Sequence, residues 1–184
     1  MMTVDSLGTE RLQLAAVTHA YSRDIFENFT ESVTRYMYPT ALRTKEEADA
    51  FIQSCLVERQ KGISYTFAVT LKTSGEFLGI VALHLVDSSL PEVGVWIKEQ
   101  AQGRGYGCEA VGAVIALAAN LGISKLKYPV DRRNLASRKL ALGYGGRLVR
   151  ESVDVRTPDG RVLQEEVYEI ELSEQNSRKK LSNK

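Results

Sequence analysis

Apolar and polar residues alternate first at residues 11–14, Arg-Leu-Gln-Leu, a period of two that predicts a strand. Over 18–37 the apolar residues Ala20, Ile25, Phe26, Phe29 and Val33 fall at helical spacing, predicting one or two short helices ended by Pro39. Thr44 followed by Glu47 is a capping-box start for a helix to about residue 60, stopped by Gly62. Strands are predicted at 65–71 and 77–86 around the turn Thr73-Ser74-Gly75-Glu76, and at 92–97 after Asp87-Ser88-Ser89. Gly94, inside that third strand, predicts a bulge or the close approach of another group. The pattern then lengthens: a glycine-rich loop, a helix over 106–120 ended by Gly122, a strand at 125–130 and a helix from Asn134 to about 144. Two last strands, 147–155 and 162–172, are joined by Pro158-Asp159-Gly160. Short turns imply antiparallel pairs, and the single strand–helix–strand crossover implies one parallel pair. The expectation is a mixed α/β sheet, mostly antiparallel and flanked by helices.

Composition narrows the classes. The chain has 184 residues, 43% hydrophobic and 26% charged, which fits one domain over 1–172 followed by a polar, basic and disordered tail over 173–184. A formal charge of +1 argues against a dedicated nucleic-acid binder. The longest apolar run, 110–119, is too short for a membrane span, and the first thirty residues lack a signal-peptide pattern, so a cytoplasmic location is expected. Cys55 and Cys108 form no disulfide or zinc spacing, and His19 and His84 stand apart, so no metal is expected. Charge is unevenly spread. Residues 1–60 carry nine acids and six bases, an acidic front suited to a cationic substrate.

The densest chemical signal is Gln102-Gly103-Arg104-Gly105-Tyr106-Gly107, between a strand and a helix. Such glycines let the backbone turn sharply and uncover amide N–H groups, and a helix N-terminus behind them suits a phosphate or pyrophosphate. A dinucleotide reading is available, since Gly105 to Ala110 fits G-x-G-x-x-A and Asp131 ends the next strand. The antiparallel hairpins upstream and the lone crossover count against it.

The same loop resembles the signature Q/R-x-x-G-x-G/A of the GNAT superfamily of acyl-CoA-dependent N-acyltransferases. Glu92-Val93-Gly94-Val95-Trp96 resembles the E-x-G-x-W strand of the RimJ/RimL-like branch. Gly105-Tyr106-Gly107-Cys108-Glu109-Ala110 is similar to its G-Y-A-T-E-A, and Thr9-Glu10-Arg11-Leu12 to its opening strand. Asn134-x-x-Ser137 and Gly145 resemble N-x-x-S…G-F, with Gly146 in place of phenylalanine. The resemblance runs from about residue 9 to 172 and implies a GNAT fold whose sheet splays at the acyl-CoA site. It further implies direct transfer of acetyl from acetyl-CoA to a primary amine, without a covalent enzyme intermediate.

The cofactor-binding residues it implies are Gln102, Gly103, Arg104, Gly105, Tyr106 and Gly107 at the pyrophosphate, Val95 and Ile97 along the pantetheine, and Asn134 on its arm. The catalytic residues it implies are Glu92, as a base acting through water, and Ser137, as donor to the departing thiolate. Many superfamily members carry a tyrosine acid where this chain has Ala141; Tyr144 lies one turn further on. The acceptor would be a protein N-terminus, a polyamine, an amino-acid derivative or an aminoglycoside-like drug, and homodimers are common in that branch. A non-catalytic acyl-CoA-binding module and an NAD(P)-dependent oxidoreductase stand as alternatives. Outside these roles, His84 reads as an ordinary strand residue, and Cys108, Tyr36 and Tyr38 as packing.

Overall fold

The computed structural model describes residues 4–172; the basic tail expected over 173–184 lies outside the described residues. Strands β1 (Ser6–Gly8), β2 (Leu12–Ala16), β3 (Tyr65–Leu71), β4 (Phe77–His84), β5 (Glu92–Ile97), β6 (Lys125–Asp131), β7 (Arg147–Arg156) and β8 (Val162–Glu171) form one sheet. Their order is β1-β2-β3-β4-β5-β6-β8-β7, antiparallel throughout except between β5 and β6. Helices α1 (Ser22–Asn28), α2 (Glu31–Thr34) and α3 (Lys45–Gln60) lie between β2 and β3; α4 (Tyr106–Asn120) is the crossover from β5 to β6, and α5 (Leu135–Gly143) follows β6.

Alternate residues of the central strands feed two cores. Leu14, Phe67, Val81 and Val93 pack with Ala110, Val114 and Leu117 of α4 on one face. Ala68, Ile80 and Trp96 pack with Ile25 of α1 and Ile52 of α3 on the other. A sheet covered on both faces needs apolar residues at every position, which is why β3 and β4 read as near-continuous hydrophobic runs.

Departures from the expected boundaries have local causes. β1 was not expected: its three residues are held by pairing with β2. The helical stretch before Pro39 divides into a 3₁₀ turn (His19–Tyr21), α1 and α2, with Thr30 Oγ1 accepting from Val33 N at the start of α2. At α3, Thr44 Oγ1 accepts from Glu47 N at 3.3 Å as a capping box requires, but the Glu47 carboxylate accepts from Arg43 N, one residue upstream. β4 stops at His84 because Leu85 adopts φ +54, turning the chain out of the strand.

The sheet opens between β5 and β6. The single register pair joining them is Glu92 with Lys127, where Lys127 N donates to Pro91 O at 2.7 Å. Backbone groups alternate sides along a strand, so the N–H facing β5 belongs to residues 127, 129 and 131. Residue 129 is proline and has no N–H to give. Beyond Glu92 the two strands therefore diverge. Lys98 N donates to Leu78 O of β4, so by the same alternation the backbone of Val93, Val95 and Ile97 faces the opening.

Candidate active site

The opening is met on its α4 side by the glycine-rich loop. Gly103 and Gly105 have φ +75 and +80, conformations that a side chain would strain. Gly105 is the N-cap of α4, with no side chain bonded to the first-turn N–H groups, and a Cβ built at Gly103 would meet nothing within 4 Å. The loop thus presents unshielded N–H groups at the positive end of a fifteen-residue helix, into open space, which fits the pyrophosphate of a CoA ester. The exposed Gln102 turns its side chain back along the loop, Nε2 donating to Ile97 O at 2.8 Å and tying the loop to the end of β5. Ile97 therefore keeps its N–H toward the opening while its carbonyl is taken; Val95 is not engaged in this way.

A second set of bonds, missed at the sequence level, sets the loop's height. Arg11 Nη1 donates to Arg104 O at 3.1 Å, and the guanidinium lies 4.6 Å from the Tyr106 ring centroid. Glu109 in the first turn of α4 accepts from Thr9 Oγ1 (2.6 Å), Arg11 N (2.8 Å) and Arg11 Nε (2.7 Å). Burial pushes the Glu109 carboxyl up, yet these three donors outweigh it and hold the group below its usual range. Thr9-Glu10-Arg11-Leu12 and the helix glutamate, read as separate motifs, are one interlock. Cys108, expected as a packing residue, is exposed instead.

Across the opening, Asn134 Oδ1 accepts from Ser137 N at 3.1 Å and caps α5, leaving its Nδ2 for another partner. Ser137 Oγ shares a 2.9 Å hydrogen bond with the hydroxyl of Tyr128 on β6. Burial pushes the Tyr128 hydroxyl up despite that bond, so it stays protonated at neutral pH. Tyr144 is held elsewhere: its hydroxyl donates to Cys108 O at 2.6 Å and packs where a Cβ on Gly112 would stand. Tyr128, inside an apolar strand and unmarked by any motif, is the tyrosine at Ser137.

A cavity of about 230 Å³ lies at the mouth of the opening, lined among others by Tyr36, Tyr38, His84, Glu92, Tyr128 and Ser137. Gly94, Val95 and Asn134 also line it, so of the expected site residues Glu92, Val95, Asn134 and Ser137 meet at this cavity, while Ile97 and the loop over 102–107 lie outside its lining. The acidic front end does not supply its charge. Its carboxylates are Glu92, Asp131 and Glu165, and each faces a cation: Glu92 lies 3.2 Å from Lys127, Asp131 2.6 Å from Arg133, and Glu165 meets Arg150. What residues 1–60 contribute is the aromatic wall at 36–39, where packing had been expected. Asp131, the ribose-binding candidate of the dinucleotide reading, has no exposed side-chain surface and is consumed by Arg133 and Gln164 N.

A sheet parted beside an uncapped glycine-loop helix defines a CoA-dependent acyltransferase. The family model described as acetyltransferase (GNAT) domain matches residues 11–147, and the chain belongs to that family. Among solved structures, RimL, the ribosomal L7/L12 alpha-N-protein acetyltransferase in complex with coenzyme A, aligns with TM-score 0.80 and 16% identity over 90% of this chain and 97% of that one. Microcin C7 self immunity acetyltransferase MccE, in complex with acetyl-CoA and AMP, aligns with TM-score 0.79 and 15% identity over 89% and 93%. The acetyltransferase of Salmonella typhimurium that modifies the N-terminal serine of L7/L12 aligns with TM-score 0.78 and 16% identity over 90% and 97%. No curated protein matches the chain. The expected mixed α/β GNAT fold and the acetyltransferase class both stand.

Proposed function

We propose that the chain transfers an acetyl group from acetyl-CoA to a primary amine, of a peptide N-terminus or a small molecule, within a ternary complex. The observation that carries this is the parting of β5 from β6, which turns the backbone of Val95 and Ile97 toward a gap beside the unshielded N-terminus of α4. Acetyl-CoA supplies the acetyl group as an activated thioester. The backbone from Gln102 to Gly107, with Arg104 beside it, binds the pyrophosphate. The Val95 and Ile97 edge and Asn134 Nδ2 hold the pantetheine arm, and the Val95 N–H stabilises the negative charge that grows on the carbonyl oxygen. Ser137, backed by Tyr128, returns a proton to the sulfur, and Glu92 stands on the proton-accepting side of the cavity. Two free cysteines support a reducing, cytoplasmic setting, and no described helix is long and apolar enough to cross a membrane.

Thermal melting with acetyl-CoA and with NAD(P)H, followed by thiol release across an amine panel, tests the reading. Ligand at 100 times its Kd stabilises the fold by about 2.7 kcal/mol, so acetyl-CoA raises Tm and NAD(P)H leaves it unchanged. Binding of acetyl-CoA with no thiol released for any amine would make the chain a non-catalytic module.

A further inference from the structure

We propose that His84 is the base that takes the proton from the acceptor amine, with Glu92 across the strand pair stabilising the imidazolium that results. The inference rests on the acetyl-transfer reading and names the residue that performs its proton-accepting step.

His84 ends β4 and pairs with Glu92 at the start of β5. Both share the pleat phase of Ile80 and Trp96, so they face the α1–α3 side of the sheet, opposite the glycine loop. An amine entering from that side meets them before it meets the Val95 edge, and all three line the same cavity. The imidazole lies against Gly94: a Cβ there would sit 3.3 Å from His84 Nε2 and 3.5 Å from Cδ2. The glycine inside β5 thus makes room for this ring, the close approach that its place in a strand predicts. Neither ring nitrogen is hydrogen-bonded to another described residue, whereas Glu92 is already engaged by Lys127 at 3.2 Å. His84 is therefore the nitrogen base in the cavity with a lone pair to offer.

Its surroundings favour the neutral form. Burial lowers its proton affinity below the ordinary histidine value, and Glu92 on β5 and Glu58 on α3 oppose this without reversing it. The other titratable groups sharing the cavity are Tyr36 and Tyr38 on the segment before α3, Tyr128 on β6, Asp131 with its Arg133, Glu165 with its Arg150, and Lys127 on Glu92. At pH 7 the imidazole is neutral and can accept a proton.

The protons balance. An amine arriving as ammonium gives one proton to His84 Nε2, and His84 passes it to solvent. The freed lone pair forms the C–N bond, the C–S bond breaks with its electron pair on sulfur, sulfur takes the Ser137 hydroxyl proton, and the second N–H proton leaves to solvent, from which Ser137 regains one. The products are the amide, the free thiol and one released proton.

The test compares wild type with His84→Gln and Glu92→Gln. Probe amines are a serine-initiated tetrapeptide, spermidine and tyramine. The chain has only two histidines, so imidazole NMR with His19→Gln for assignment follows His84 directly. Expected is a His84 that titrates below pH 6.5 in wild type and lower still in Glu92→Gln. His84→Gln keeps its acetyl-CoA affinity by calorimetry and loses about 100-fold in kcat at pH 7. That deficit shrinks at pH 9, where more amine arrives unprotonated. A His84 charged at pH 7, wild-type turnover in His84→Gln, an equal deficit at both pH values, or a matching loss of acetyl-CoA affinity overturns the assignment while transfer itself stands. Wild type that binds acetyl-CoA and turns over no probe overturns the transfer reading and His84's role with it.

Discussion

A methyl group at Gly94 would press on the His84 ring from 3.3 Å, and at a tightly packed strand position the ring must move rather than the backbone. The strand itself tolerates alanine: Gly94 has no positive φ, and alanine loses less conformational freedom on folding. Gly94→Ala therefore separates catalysis from stability. The ring must give by a few tenths of an ångström, less than the roughly 1 Å misplacement that costs about 100-fold in rate, so kcat falls by about 3- to 10-fold. Tm holds or rises slightly, and the acetyl-CoA Kd, set on the opposite face, is unchanged. Steady-state kinetics beside calorimetry checks this; a fall in affinity equal to the fall in kcat would mean that Gly94 shapes the cofactor edge instead. Ser137 shows the same economy of position at residue scale: its amide completes the Asn134 cap and its hydroxyl meets Tyr128. Side chains that close a helix end also orient the cavity.

Between elements, the parting of β5 from β6 depends on a missing donor. Pro129→Ala would restore an N–H facing Val93 and allow one more ladder bond, closing part of the gap. The expected result is a protein slightly more stable, by about 1 kcal/mol for the bond gained, that binds acetyl-CoA several-fold more weakly. Amide exchange at residue 129 and calorimetry measure the two effects. Such contrasts explain what could be read in advance. Helix α4 was legible to the residue because Gly105 and Gly122 bracket an apolar run, and both signals are local. The loop, Asn134 and Ser137 could be singled out because their motifs are short and ordered, and the structure sets all of them around the opening between β5 and β6. Pro129 carries no signal of its own in the sequence, since its effect appears only when the strand beside it is known. His84 read as an ordinary strand residue, Tyr36 as packing, and Tyr128 carried no motif, for the same reason: each is defined by a neighbour on another element. The acidic front misled because charge counted along the chain ignores that Glu27 faces Arg23 and Asp5 faces Arg59, away from the cavity.

Across the whole molecule, the cavity wall at 36–39 is held by the far end of the chain. Arg161, just past the β7–β8 turn, is steadied by Asp159 at 2.6 Å and donates Nη1 to Thr34 O (2.8 Å) and Arg35 O (3.3 Å), and Nη2 to Pro39 O (3.2 Å). Arg133, fixed by Asp131, lies 5.5 Å from the Tyr36 ring centroid and braces the same segment from β6. Three carbonyls on one planar guanidinium form a clamp that a single ammonium cannot reproduce. Arg161→Ala leaves those carbonyls to solvent and frees the aromatic wall, while the loop, the β5 edge and Asn134 keep their own bonds. The expected signature is a split: acceptor KM rises about 10-fold, as for the loss of one charge-assisted set worth about 1.5–3 kcal/mol. Acetyl-CoA Kd is unchanged, and cleavage near residue 38 by a protease specific for aromatic residues becomes faster. Arg161→Lys retains the charge and reaches only part of the set, so its acceptor KM stays close to that of Arg161→Ala. Full rescue by lysine would mean that charge alone positions the wall; an equal change in acetyl-CoA affinity would mean that the two faces of the sheet are not independent, and that the hairpin governs the whole opening.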